Sequence, residues 1–208
     1  KECGNIKMMK QFWKESSGTI FKMVINQIGM MVFGLIVCTA TMKNDNLMLC
    51  ASIFSALFYF ILLYITTWDL GAKDSIRIEA GRYPRKPFRG VGMSLCANSL
   101  NLLLALCASL GKFLAVNGTN LSFFTTPAKV IVEQLGKSGA YNFYAITWNI
   151  SLFLNAMYTG IIQRILPNCP LVLFLTVLPA LAASGLGYFL GSSNRRLFGF
   201  LQKKPQDD

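Results

Sequence analysis

LMLCASIFSALFYFILLYITT, residues 47–67, contains no Asp, Glu, Lys, Arg or His. A helix rises about 1.5 Å per residue and a bilayer's hydrocarbon core is roughly 30 Å thick, so about 20 apolar residues are enough to cross it. Four more uncharged windows meet the same test: 23–42, 91–111, 141–163 and 171–193. The chain is therefore expected to be all-α, a polytopic transmembrane helical bundle of about five spans forming a single integral membrane domain over residues 1–208. Composition agrees, with 53% hydrophobic and 14% charged residues against roughly 25% charged in soluble proteins. The first window is too long for a signal peptide and no small-residue cleavage pattern closes it, so it is expected to be a retained span.

The net charge is +11. No zinc-finger, RNA-recognition or basic-zipper pattern accompanies it, which argues against nucleic acid as a partner. The basic residues flank the apolar windows instead, which points to anionic lipid head groups and a positive-inside topology. Lys1, Lys7, Lys10, Lys14 and Lys22 place the N-terminus in the cytoplasm. The short turn KNDN, 43–46, is then outside, and the basic block 68–90 inside. Residues 112–140 form the long outer connection, where TTPAKVIVEQLG, 125–136, reads as a short helix with Thr126 as N-cap and Pro127 at its first position. It lies either on the membrane surface or over the bundle. Five straight crossings put the tail outside with Arg195, Arg196, Lys203 and Lys204, dividing Lys and Arg twelve inside and eight outside. That is a weak bias.

The five windows lack the side chains from which proton relays and most general bases are made. No catalytic residue, metal site or cofactor is expected, and the chain is not expected to be an enzyme. There is no His and no Cys-x-x-Cys, so a Cys/His zinc site is excluded. A lipid-directed enzyme using Asp69, Asp74 and Arg82 is the weakest of three readings, because the paired Asp-Gly motif of the CDP-alcohol transferases is present only in fragments. Asp69 with Lys73 and Asp74 with Arg77 have helical ion-pair spacing. The block is expected to be a solvated topological anchor, or else a partner-docking surface through Arg77, Arg82, Arg85, Lys86 and Arg89.

Ser94, Asn98, Asn101, Ala105, Ser109 and Lys112 share one helical face of the third window, and Asn26, Gln27, Asn149, Ser151 and Asn155 add polar points elsewhere. Amides in lipid seek hydrogen bonds, so these side chains should turn inward, toward other helices or a binding site. A substrate site would use Asn98, Asn101, Asn149 and Asn155. In the last window Ala183, Gly187 and Gly191 recur every four residues, the small-residue spacing that lets helices pack closely, within the bundle or against another subunit.

FYFILLYITTWDLGAKDSIRIEAGR (58–82), FRGVGMSLCANSLN (88–101) and GLGYFLG (185–191) resemble small multi-pass membrane proteins of Gram-positive anaerobic bacteria. The resemblance implies a bacterial cell membrane and carries no functional residue. The leading expectation is a non-catalytic integral subunit or accessory protein of a membrane complex, transport-related, with another membrane subunit or a homo-oligomeric copy as partner. The alternative is a solute-binding transport component for a neutral or polar small molecule.

Overall fold

The computed structural model describes residues 2–84, 86–117, 123, 139–165, 167 and 169–193, with side chains from Phe12 onward. The helix expected near 126–136, Arg85 and the basic tail lie outside these residues. What is described is helical, with no strand. The helices are α1 Glu2–Thr41, α2 Asp45–Glu79, α3 Arg89–Ala97, α4 Ser99–Val116, α5 Gly139–Leu154, α6 Thr159–Ile165 and α7 Val172–Ser192. Among them α1 from Phe12, α2, α4 and α7 are each long and apolar enough to cross a membrane, and α5 with α6 forms a pair bent by 84°.

Local chemistry sets the ends. Asn44 caps α2, its side-chain oxygen accepting from the Asn46 and Leu47 amides at 3.1 and 3.2 Å. The helix does not stop at the membrane edge expected near Trp68. It runs on to Glu79 and ends where Gly81 adopts φ +69, with the Gly81 and Arg82 amides returning to the Ile78 and Arg77 carbonyls. That left-handed position is one glycine takes without a steric cost. Half of the basic block expected as a loop is thus helix.

α7 lies along α2 in the same direction. A Cβ on Gly187 would fall on the Thr67 hydroxyl and the Tyr64 carbonyl; one on Gly191 would fall on the Trp68 carbonyl. Gly187 and Gly191 are thereby engaged inside the chain, against α2, and Ala183 packs on the core. Gly71 answers from α2, where a side chain would meet the Tyr188 carbonyl. Parallel packing brings Ser192 to the end of the bundle that holds Ser16 and Asp74, opposite the Asn44 turn.

The fourth window, expected as one straight helix, is the bent pair. α5 starts beside α4's C-terminal end, with Tyr144 against Gly111. It descends to Leu154, which shares a cavity with Gln27 and Asn101. The chain turns through a short 3-10 segment, Ala156–Tyr158, whose Met157 backbone packs on Gly34. α6 then climbs back, with the Gly160 amide donating to Ser52 Oγ at 2.9 Å and Arg164 beside Asp45. Both ends of the pair lie at the Asn44 end of the bundle.

Candidate functional site

Two helix interruptions organise the interior. α3 gives way to α4 at Asn98 (φ −91, ψ 8), and α5 ends at Asn155 (φ −103, ψ 28). In each case the asparagine amide donates to the carbonyl four residues back, Asn98 to Ser94 at 3.0 Å and Asn155 to Ser151 at 2.9 Å. Such back-bonding competes with the helix ladder. The local sequences are SLCAN and SLFLN, a repeated Ser-Leu-x-x-Asn that marks both breaks and is readable once sought. Both asparagines are buried. Asn98 lies within side-chain hydrogen-bond reach of the Tyr59 hydroxyl on α2, and Asn155 Oδ1 faces Thr176 Oγ1 at 3.5 Å on α7.

Next to these breaks is a groove of about 410 Å³ between α1 and the α3–α4 segment, within the size range of small-molecule sites. Trp13, Gln27 and Met31 line it from α1, Cys96 and Asn101 from the opposite wall, and Leu154 from the bent pair. Among the described residues no charged side chain lines it. Asn101 is 6% exposed, and its Nδ2 donates to Asn98 Oδ1 at 3.3 Å. Its own carbonyl oxygen has no partner among the described residues, and neither does the Gln27 amide. Neighbouring Asn26 turns to α2, its Nδ2 donating to Thr66 Oγ1 at 3.2 Å.

Of the residues expected to form one polar site, the structure brings Asn98, Asn101 and Asn155 inward and sends Asn149 out. Asn149 is exposed on α5 and donates to the Ala145 carbonyl at 2.8 Å. Helix geometry gives the reason: Asn149 and Asn155 are six residues apart, about 240° around a helix at 3.6 residues per turn. Ser94, Asn98, Asn101, Ala105 and Lys112 are all buried, as an inward seam requires.

A second cluster closes the opposite end of the bundle from the Asn44 turn. Asp74 on α2 is fully buried, and its Oδ2 accepts from Arg89 Nη1 at 2.5 Å and from the Tyr188 hydroxyl at 2.9 Å. Arg89 also donates to Ser16 Oγ through Nε at 3.3 Å and Nη2 at 3.2 Å, and to the Glu15 carbonyl at 3.2 Å. Glu15 Oε2 sits 3.6 Å from Arg89 and accepts from the Tyr83 hydroxyl at 2.9 Å. Burial and the hydrogen bond to Glu15 push the Tyr83 phenol up to about 12, so it remains a proton donor at neutral pH. One guanidinium thus ties α1, α2 and α3 together, and the shared carboxylate adds α7. Gly90 permits this, since a side chain there would strike the Ser184 carbonyl and the Tyr188 Cβ.

Arg89 therefore belongs to the interior and not to a docking surface. Its expected companions Arg77 and Arg82 are exposed, and Lys86 lies over the Tyr83 ring at 5.0 Å. Asp69 pairs with Lys73 at 2.7 Å in solvent, whereas the Asp74–Arg77 approach is a looser 3.7 Å. Asp69, Asp74 and Arg82 do not converge on a common site. Among the described residues no group of His, Cys, Asp or Glu is arranged to hold a metal. Comparison with known proteins gives no match: no protein family, no curated protein and no solved structure is similar to this chain.

Proposed function

We propose that this chain is an integral component of a membrane transport system that binds an uncharged small molecule in the groove between α1 and α4. The observation that carries this reading is the Gln27 amide and the Asn101 carbonyl oxygen, which have no partner among the described residues and belong to side chains lining an otherwise apolar groove. Gln27 is half-buried and Asn101 buried, and a polar group left without a partner in lipid is unfavourable. A ligand with complementary groups recovers that cost. Discontinuous helices such as those at Asn98 and Asn155 are a common way for transporters to build sites inside the bilayer. The test is native mass spectrometry of the protein extracted in its own lipids. A bound small molecule that disappears in a Gln27→Leu/Asn101→Leu variant of unchanged folding supports the reading. A variant that keeps the molecule, or a wild-type protein that carries none, rejects it.

Asn149 favours a second reading, membership of a larger membrane complex as a non-catalytic subunit. It interrupts an outward apolar stripe with Phe143, Ile146, Ile150 and Phe153, where an amide gains by bonding to a neighbouring helix. Loss of a co-purifying polypeptide, or of a second copy, in Asn149→Leu tests it. For orientation in a cell membrane we place the Ser16–Asp74–Ser192 end in the cytoplasm, because the segments joined to that end carry most of the basic residues.

A further inference from the structure

We infer that the ligand of the groove, if that site is the transport site proposed above, is a bilayer-dissolved, uncharged, single-chain amphipath and not a water-soluble solute. The α1 wall runs from Trp13 to Met31, about 27 Å at 1.5 Å per residue. The facing wall is residues 96–101 with Leu154, and the volume of about 410 Å³ is room for one hydrocarbon chain. The groove's rim is apolar and outward-facing: Trp13 is 57% exposed, Ile28 51% and Leu100 57%. On a membrane-spanning bundle that rim faces lipid, so an occupant enters sideways from the bilayer.

Charge and hydrogen bonding narrow the class. With no Asp, Glu, Lys or Arg among the described lining residues, an ionised head group beside Gln27 and Asn101 would be desolvated without a counter-ion, which is strongly unfavourable. The polar demand is specific. Asn101 offers a carbonyl oxygen and so takes a donor, while the Gln27 amide both donates and accepts. A molecule with a hydroxyl or amide N–H beside a carbonyl, on an otherwise apolar chain, satisfies both. Gln27 and Asn101 lie part-way along the groove, and its Trp13 end reaches the basic segment beyond the first apolar window. The groove thus joins the hydrocarbon to the polar end of the bundle, as a path for moving such a molecule requires.

The probe is a monoacylglycerol carrying a dibrominated chain, which is uncharged and has hydroxyls beside an ester carbonyl. Trp13 is the reporter in full-length protein bearing Trp68→Phe and Trp148→Phe, reconstituted in phosphatidylcholine nanodiscs. Expected is saturable quenching of Trp13, with half-saturation raised about tenfold or more by Gln27→Leu/Asn101→Leu, since two hydrogen bonds are lost. Asn101→Leu also removes the bond to Asn98 Oδ1, so an unchanged melting curve is required to show that the fold is kept. Equal, unsaturable quenching by brominated phosphatidylcholine means only surrounding lipid reaches the groove, and overturns the inference. No quenching, while a water-soluble molecule is retained in mass spectrometry and lost in the double variant, overturns the ligand class but leaves the site. No quenching and no retained molecule overturns both.

Discussion

Replacing Arg89 by Met tests whether the ion pair at the end of the bundle holds the helices together. Asp74 is fully buried and the Arg89 side chain is 2% exposed, so the carboxylate left behind has no water and only the exposed Arg77, 3.7 Å from its Oδ1, as a charge. Its Oδ2 keeps only the Tyr188 hydroxyl. Removing one partner of a buried pair costs about 3–5 kcal/mol. For a chain of this length each kcal/mol lowers the melting temperature by about 2–4 °C, so Arg89→Met should melt roughly 6–20 °C below wild type. Asp74→Leu should cost less, because Arg89 retains Ser16 and the Glu15 carbonyl and carboxylate. The double variant Asp74→Leu/Arg89→Met exchanges a buried pair for apolar contact, which is often near neutral, and should melt above Arg89→Met alone. Thermal melting followed by size-exclusion chromatography in one detergent measures all four proteins. If the double variant loses the sum of the two single losses, the pair has no coupling energy and the reasoning fails.

Three other outcomes follow from the geometry. Gly187→Ala places a Cβ against the Thr67 hydroxyl and Tyr64 carbonyl and should destabilise by about 1–3 kcal/mol, while Gly29→Ala, with nothing within 4 Å, should be neutral or stabilise by up to about 1 kcal/mol; melting of the two variants side by side decides it. Tyr83 is held protonated to about pH 12 when folded against an ordinary value of 10.0, so the unfolded chain loses this proton first and stability falls as pH rises above 10. Tyr83→Phe should remove that part of the alkaline slope in denaturation measured from pH 9 to 12. Reporters inserted after Ser193 and after Ser17 should lie on one side of the membrane, and a reporter at Asn44 on the other; opposite sides for the first two would contradict the parallel packing of α7 on α2.

The membrane bundle was legible because it follows from run length alone: an uncharged window of about 20 residues has few alternatives to a spanning helix. The inward seam of α3 and α4 and the packing face of Gly187 and Gly191 were legible for a similar reason, since period fixes which residues share a face. The Asp74–Arg89 pair was not. Asp74 sits at ordinary ion-pair spacing from Arg77, and only the continuation of α2 past Trp68, followed by the reversal at Gly81, carries it back to Arg89 and under Tyr188. The helical ion-pair spacing of Asp69 with Lys73 and of Asp74 with Arg77 fits a helix that outlasts its apolar window, but no local pattern gives the reversal that returns the chain to it. The groove was half legible: Gln27 and Asn101 stood out as polar residues in lipid, but which amides stay unpaired depends on how neighbours bond. Asn26 finds Thr66, and Gln27, one residue on and about 100° around the helix, does not.

The bent pair also resolves the conflict in charge. Five straight crossings divide the basic residues twelve and eight, and leave the basic tail opposite the basic N-terminus. With an in-and-out α5–α6 pair there are four full crossings, and α7 ends at Ser192 on the side where α1 begins. Among the described side chains Lys43, Lys112 and Arg164 then belong to the Asn44 half, against Lys14, Lys22, Lys73, Arg77, Arg82, Lys86 and Arg89 toward the proposed cytoplasmic side. The contacts behind this arrangement use no charge information: Tyr144 on Gly111, Gly160 on Ser52 and Gly187 on Thr67 are matters of helix packing and backbone hydrogen bonding. Two independent physical effects, close packing and the retention of basic residues on one side of a membrane, therefore favour the same topology. In it the Asn155 turn stays inside the bilayer beside the groove. A straight fifth crossing would have carried that segment past the groove, leaving no helix end against the Gln27 and Asn101 amides.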